Sequence, residues 1–246
     1  MNSDNKIEFN DDRIIIHKKQ IQKGLVGKLS EDAINLSEQI IQENINKRRL
    51  FLELTTSHRC KDCQEFNNDY SSNCTNRPLP YGNMSSDIVF VNKVPTVLEC
   101  ATMLSHSDTA GYFLMLLINK MGLKPDNLYF TDFIKCPNQK LSEDSCWNCI
   151  GNYFLKEIGY IKPKAIVFQG LSVINILSKN KILLNIPNEI EYGTIYNSYF
   201  ISEENPVKIL GIYDLNMVLQ KEAEELQQCK NIIWSNLLNI VKSIQD

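Results

Sequence analysis

Three short apolar runs constrain this chain most: Ile88-Val89-Phe90-Val91, Ala165-Ile166-Val167-Phe168 and Lys208-Ile209-Leu210-Gly211-Ile212-Tyr213. Runs of this length with little polar interruption suit strands buried on both faces. Between and around them, residues 109–121, 146–160, 171–178 and 216–243 carry apolar positions at helical spacing, and 127–134 and 194–201 have strand-like pieces. Strand alternating with helix predicts an α/β fold built on a parallel sheet. In open sheets of that kind the ligand sits beyond the carboxyl ends of the strands, so residues 92–96, 132–137, 169–171 and 214–216 are expected to converge on one crevice.

The sheet pattern begins only near residue 87, and what precedes it differs in character. Residues 1–54 read as an amino-terminal extension with one amphipathic basic helix, and 55–246 as the main domain. Ser30 is an N-cap candidate followed by acidic Glu31 and Asp32. Ala33, Leu36, Ile40, Ile41 and Ile45 then recur at helical spacing up to the cationic end Lys47-Arg48-Arg49. The whole chain of 246 residues has a formal net charge of −3, so any nucleic-acid role needs basic residues gathered locally. Between Arg13 and Lys61 there are ten basic residues against five acidic ones. Surface lysines commonly do no more than solvate a helix face; the functional alternative is DNA contact through Lys47, Arg48, Arg49, Arg59 and Lys61. No run of about 18 apolar residues is present to span a bilayer, and the first residues lack a secretory pattern, so the expectation is a cytoplasmic protein away from membranes.

In a reducing compartment the eight cysteines are candidates for metal binding before disulfides. Cys60-Lys-Asp-Cys63 can grip one metal centre with two thiolates. Cys136 and Cys149, separated by twelve residues, can supply the other two. A thioredoxin-like pair would follow a core strand and open a helix, whereas Cys60 and Cys63 precede the whole sheet. Spacing leaves a structural Cys₄ zinc and an iron–sulfur cluster open, and Cys146 is a rival ligand to Cys149.

With Arg77, Gly82-Asn83, the strand Asp87–Thr96, Lys135-Cys136, Cys149 followed by Tyr153, Leu155 and Ile158, the run Ile161–Gly170, and Trp234 and Leu237 in the last helix, the chain resembles family 4, iron–sulfur uracil-DNA glycosylases over roughly residues 55–240. The resemblance implies a central parallel four-stranded sheet flanked by helices, with the amino-terminal helical segment as an extension. It also selects Cys149 over Cys146 and implies a structural [4Fe-4S] cluster on Cys60, Cys63, Cys136 and Cys149, with zinc as the alternative.

The positions that carry uracil chemistry in that family are changed here. Gly-Glu-Ala-Pro-Gly is replaced by Asn92-Lys93-Val94-Pro95-Thr96, which puts Lys93 in place of the water-directing carboxylate. The base-stacking aromatic aligns with His106, and the Asn that reads the uracil edge aligns with Asp132, whose carboxylate cannot donate to a carbonyl unless protonated. The Thr-Tyr-His-Pro motif stands as Ile212-Tyr213-Asp214-Leu215, which places a negative group where the uracil anion needs a donor. The resemblance therefore assigns Asn92, Pro95, His106 and Asp132 to a base pocket, and treats Lys93, Asp132 and Asp214 as degenerate catalytic positions. A Lys93–Asp214 ion pair closing the crevice is one bland outcome. The functional expectation is a protein that keeps the scaffold, has lost uracil excision, and acts as a DNA-binding or assembly subunit with DNA or protein partners. The alternative is a DNA glycosylase of altered base specificity, with Asp132 accepting from an exocyclic amine and Lys93 acting as nucleophile or phosphate contact.

Overall fold

The computed structural model describes residues 78–136, 147, 149–201 and 205–245, together with Ile45. The chain divides after Asn46 into two units, and all of these residues except Ile45 lie in the second. The expected basic helix, with Lys47, Arg48, Arg49, Arg59 and Lys61, and the pair Cys60 and Cys63, lie outside the described residues.

The centre of the sheet is formed by the apolar runs. Strand β2 (Ile88–Asn92) pairs in parallel with β3 (Tyr129–Asp132) on one side and β4 (Ala165–Gln169) on the other, and β4 pairs in parallel with β7 (Val207–Ile212). Alternation along each strand sends side chains to two core layers. Ile88, Phe90, Phe130, Val167, Leu210 and Ile212 face one layer; Val89, Val91, Tyr129, Ile166, Phe168 and Ile209 face the other. Helices cover both faces. The first layer is closed by α2 (Thr109–Lys120), the short α5 (Leu215–Val218) and the long α6 (Ala223–Ser243), which bury Leu114, Ile118, Leu215, Ile233 and Leu237. The second is closed by α3 (Leu155–Ile161), preceded by a π-helical stretch Ile150–Phe154, and by α4 (Ser172–Lys179), through Phe154, Ile158, Val173 and Leu177. Burying one such side chain contributes about 1.5–3 kcal/mol, so these layers outweigh any single polar contact.

The expectation of a four-stranded parallel sheet is corrected by the structure. Among the described residues the sheet has seven strands in the order β1-β3-β2-β4-β7-β6-β5, and it is mixed. The four parallel strands form its centre. β1 (Tyr81–Gly82) adds antiparallel to β3, β6 (Ile195–Phe200) antiparallel to β7, and β5 (Leu183–Leu184) antiparallel to β6. The two outermost strands are only two residues long, too short to show a period, and β6 carries Asn197-Ser198 at its middle and buries only Ser198 and Phe200, so it gives no apolar run.

Candidate functional site at the carboxyl end of the sheet

The ends of β2, β4 and β7 surround a crevice of about 350 Å³ lined by Asn92, Lys93, Val94, Pro95, Thr96, Val97, Gln169, Asp214, Asn216 and Gln220. Three of the four expected segments therefore meet there; residues 132–137 do not line it. The backbone at Lys93 is fixed because the pairing of β2 and β3 continues past both strands: the Phe133 and Ile134 N–H groups donate to the Asn92 and Lys93 carbonyls at 2.8 and 3.1 Å. β4 ends in Gly170 at φ 89°, a left-handed conformation that suits glycine, and its N–H donates to the Ile212 carbonyl at 2.8 Å.

The loop after Pro95 turns at once into α1 (Val97–Thr102), a helix that the apolar pattern does not predict. Thr96 and Glu99 form a reciprocal cap. The Thr96 N–H donates to Glu99 Oε2 at 2.6 Å and the Glu99 N–H to Thr96 Oγ1 at 3.3 Å. The threonine in place of a glycine is thus a helix start, and the Thr-x-x-Glu spacing was its available signal. Glu99 is fully buried, and its Oε1 also accepts from Asn92 Nδ2 at 3.1 Å and from the His106 N–H at 2.5 Å. Burial, reinforced by the charge of Asp108, raises its pKa, against the lowering effect of the Thr96 and His106 N–H groups.

His106 is held in a left-handed turn, φ 58°, and is 3% exposed. Gly111 makes the turn possible: a Cβ there would lie 1.9 Å from the His106 carbonyl oxygen. Asp108 caps α2 by accepting from the Gly111 N–H at 2.8 Å. The His106 ring packs edge-on to Phe130, with Gln169 Nε2 donating to Nε2 at 3.0 Å and Nδ1–H directed to Ser105 Oγ at 2.8 Å. Burial pushes the imidazole pKa down to about 3, so the ring is neutral.

Asp132, register partner of Asn92 at the strand ends, is 1% exposed, and its Oδ1 has no hydrogen-bond partner. Its donor atom and those of Glu99 and His106 lie within 4.8 Å of one another. Burial first, then the neighbouring Glu99 charge, pushes Asp132 up to about 8; Lys135 and hydrogen bonds from Ser105 and Asn92 oppose the shift. At pH 7 Asp132 is mainly the neutral acid, so the repulsion expected from a carboxylate at this position is largely removed. Neither His106 nor Asp132 lines the crevice. Asn92 and Gln169 stand between, with amides already committed to Glu99 and His106.

The crevice is not closed by an ion pair. Asp214 accepts from the Asn216 and Met217 N–H groups at 2.9 and 3.4 Å and caps α5, and among the described residues Lys93 has no carboxylate within ion-pair distance. Lys93 is exposed at the rim. Gln169 and Asn216 fall within the expected segments, whereas Glu99, Ser105 and Gln220 are components that sequence reasoning missed, and of these only Glu99 had a local signal.

On the opposite face of β3 lie Cys136 and Cys149. Cys136 and Cys149 are half-buried, and the Lys135 N–H donates to Cys149 Sγ at 3.2 Å, the kind of bond an anionic sulfur ligand takes. The Lys135 ammonium is buried against Glu157 Oε2 at 2.5 Å and Thr131 Oγ1 at 2.6 Å, and Tyr129 O–H donates to Glu157 Oε1 at 3.0 Å. Two cysteines brought to one strand end, with sulfur hydrogen-bonded to backbone, fit half of a four-thiolate site. Cys100 and Cys229 are buried in the core as small apolar residues.

The fold and site define an open α/β sheet, parallel at its centre, with a crevice at its carboxyl edge and two cysteines at one strand end. The family model for the uracil DNA glycosylase superfamily matches residues 79–238, and the chain belongs to that superfamily. It is 28% identical over 111 residues to the type-4 uracil-DNA glycosylase of Thermotoga maritima, covering 44% of this chain and 58% of the relative. It is 27% identical over 113 residues to that of Archaeoglobus fulgidus, covering 45% and 54%. The matched stretch thus spans little more than half the length of these relatives. No helix among the described residues is long and apolar enough to cross a membrane.

Proposed function

We propose that this chain is a DNA-binding member of the superfamily that no longer excises uracil and serves as a binding or assembly subunit in DNA transactions. The observation that carries the reading is the closed floor of the crevice: Asn92 and Gln169 are tied to Glu99 and His106, and Asp132 is sealed behind them. A flipped base needs a socket lined by free hydrogen-bonding groups. Here the Asn92, Gln169 and His106 groups are already paired within the wall, and the unpartnered Asp132 oxygen is buried behind them. At the rim, Lys93 cannot direct water as a carboxylate would, and the Asp214 charge is spent on capping α5. Loss of one preorganised donor alone costs about 10²–10³ in rate.

Cys60, Cys63, Cys136 and Cys149 would hold a [4Fe-4S] cluster, whose contribution is to fasten the amino-terminal loop to the sheet and so add folding free energy. DNA contact is assigned to the basic segment containing Lys47, Arg48, Arg49, Arg59 and Lys61.

The test is anaerobic purification with iron and visible absorption measured, followed by uracil release from single-stranded DNA and by DNA binding across a salt series. Expected are a coloured, iron-containing protein, background uracil release, and affinity that falls with salt and with charge reversal at Lys47, Arg48 and Arg49. Uracil release above background overturns the loss of excision; binding indifferent to salt and to charge reversal removes the basic segment from the reading.

A further inference from the structure

We propose that the crevice receives a deoxyribose that has lost its base, and that the Lys93 amine condenses with the aldehyde such a sugar exposes. The inference rests on the DNA-binding reading above and deepens it by naming the ligand.

Two observations meet here. First, the crevice is open at the level of the rim and closed at the level of the base. Its volume is about 350 Å³, but its inner wall is the committed pair of amides on Asn92 and Gln169, with the His106 ring directly behind. A base seated in the socket assigned to His106 and Asp132 would have to displace that ring. Doing so would release the Gln169 amide and the Ser105 hydroxyl from their partners and disturb a left-handed turn packed against Gly111. A nucleotide without a base makes no such demand. Second, the rim carries a primary amine. Lys93 is exposed, its backbone is pinned by Ile134, and its ammonium has no ion-pair partner among the described residues because Asp214 turns its carboxylate to α5. Among the described lysines it is the one that lines the crevice.

The chemistry balances without a further reagent. An abasic deoxyribose opens to an aldehyde at C1′. The Lys93 ammonium gives one proton to solvent, its nitrogen adds the freed lone pair to C1′, and one N–H proton passes through water to the former carbonyl oxygen to give a carbinolamine. That hydroxyl takes a second proton from solvent and leaves as water, the nitrogen lone pair forms the C1′=N bond, and the nitrogen returns its last proton to solvent, leaving an imine. The step is reversible, so the protein would hold an abasic site by a covalent bond that water can undo.

The experiment uses the full chain, purified anaerobically, with three oligonucleotides: one bearing an abasic site, one bearing a tetrahydrofuran analogue that has no aldehyde, and one undamaged. Sodium borohydride reduces the imine to a stable amine, which is read as a protein–DNA adduct on a denaturing gel. Expected is an adduct with abasic DNA only, lost in Lys93→Arg, and retained in Lys164→Arg, which alters a lysine paired with Asp87 away from the crevice. Thermal melting of Lys93→Arg checks that the fold is intact, as the exposure of Lys93 implies. An adduct of undiminished yield in Lys93→Arg overturns the proposal, and so does binding of abasic DNA by the wild-type chain with no adduct. Absence of binding to all three DNAs overturns both this inference and the reading it rests on. An adduct accompanied by uracil release supports the capture step and overturns only the loss of excision.

Discussion

The two faces of β3 handle buried charge in opposite ways. On one face Tyr129 and Thr131 point to Glu157, which takes the Lys135 ammonium at 2.5 Å and the tyrosine hydroxyl at 3.0 Å, so each charge has its partner. On the other face Asp132 lies beside Glu99 with one oxygen unpartnered, and Lys135, the cation that opposes its shift, is spent on Glu157. The first arrangement is a lock at the strand end that carries the cysteines. The second is held together by withholding charge, through a proton on Asp132 and a neutral His106, and it forms the back wall of the crevice. Buried groups that are fully satisfied rigidify a fold; groups left short mark where it can be perturbed.

The largest effect expected from breaking this contrast is on the satisfied side. Glu157→Ala strands the Lys135 ammonium in the core and should cost about 3–5 kcal/mol in stability by denaturant titration. A loss near zero would mean that water reaches the pair. The unsatisfied side predicts a pH effect of definite sign. Because the Asp132 pKa rises from 3.8 to about 8 on folding, the folded state holds that proton more tightly than the unfolded chain. Its contribution to stability is complete below about pH 4, declines as pH rises toward about 8, and is flat beyond, with a slope of about 1.4 kcal/mol per pH unit. Glu99, His106, Lys135, Ser105 and Asn92 are the charged and polar groups that face it. Asp132→Asn cannot ionise, so the difference between wild type and variant across that window isolates the term; identical pH profiles would show Asp132 ionised in the folded protein. The smallest effect is local. Thr96→Ala removes one half of the α1 cap and should cost about 1 kcal/mol by thermal melting, with a larger cost pointing to a disturbed Glu99 and through it His106.

The parts of the fold that could be read in advance were those where local pattern and environment agree. β2, β4 and β7 are continuous apolar runs because both their faces are covered, and α2 follows a capping aspartate and keeps its period for three turns. The last helix was expected unbroken over 216–243, yet it is two helices separated at residues 219–222, a break that no proline or glycine announces. α1 escaped notice because its six residues bury only Glu99 and Cys100. The candidate site was legible position by position but not as an assembly. His106, Asp132 and Asp214 were identified by alignment to motifs, while their partners Glu99, Ser105 and Gln169 are chosen by three-dimensional proximity. The state of Asp132 followed the same rule, since a neutral acid is a property of its neighbours and not of the residue.

The pairing of the central strands has a consequence for how the chain is made. Ile88 meets Ala165, and Ala165 meets Lys208, so each central neighbour is recruited from far downstream. The first apolar layer is then sealed by α6, the last helix described. During synthesis from the amino end, β2 and β3 emerge well before β7, α5 and α6, so the first layer has α2 over it but stays incomplete until those elements follow. A nascent chain that has emerged only as far as residue 206 lacks β7 and α6 and cannot yet close its core, whereas emergence of residue 243 supplies the last described helix of the first layer.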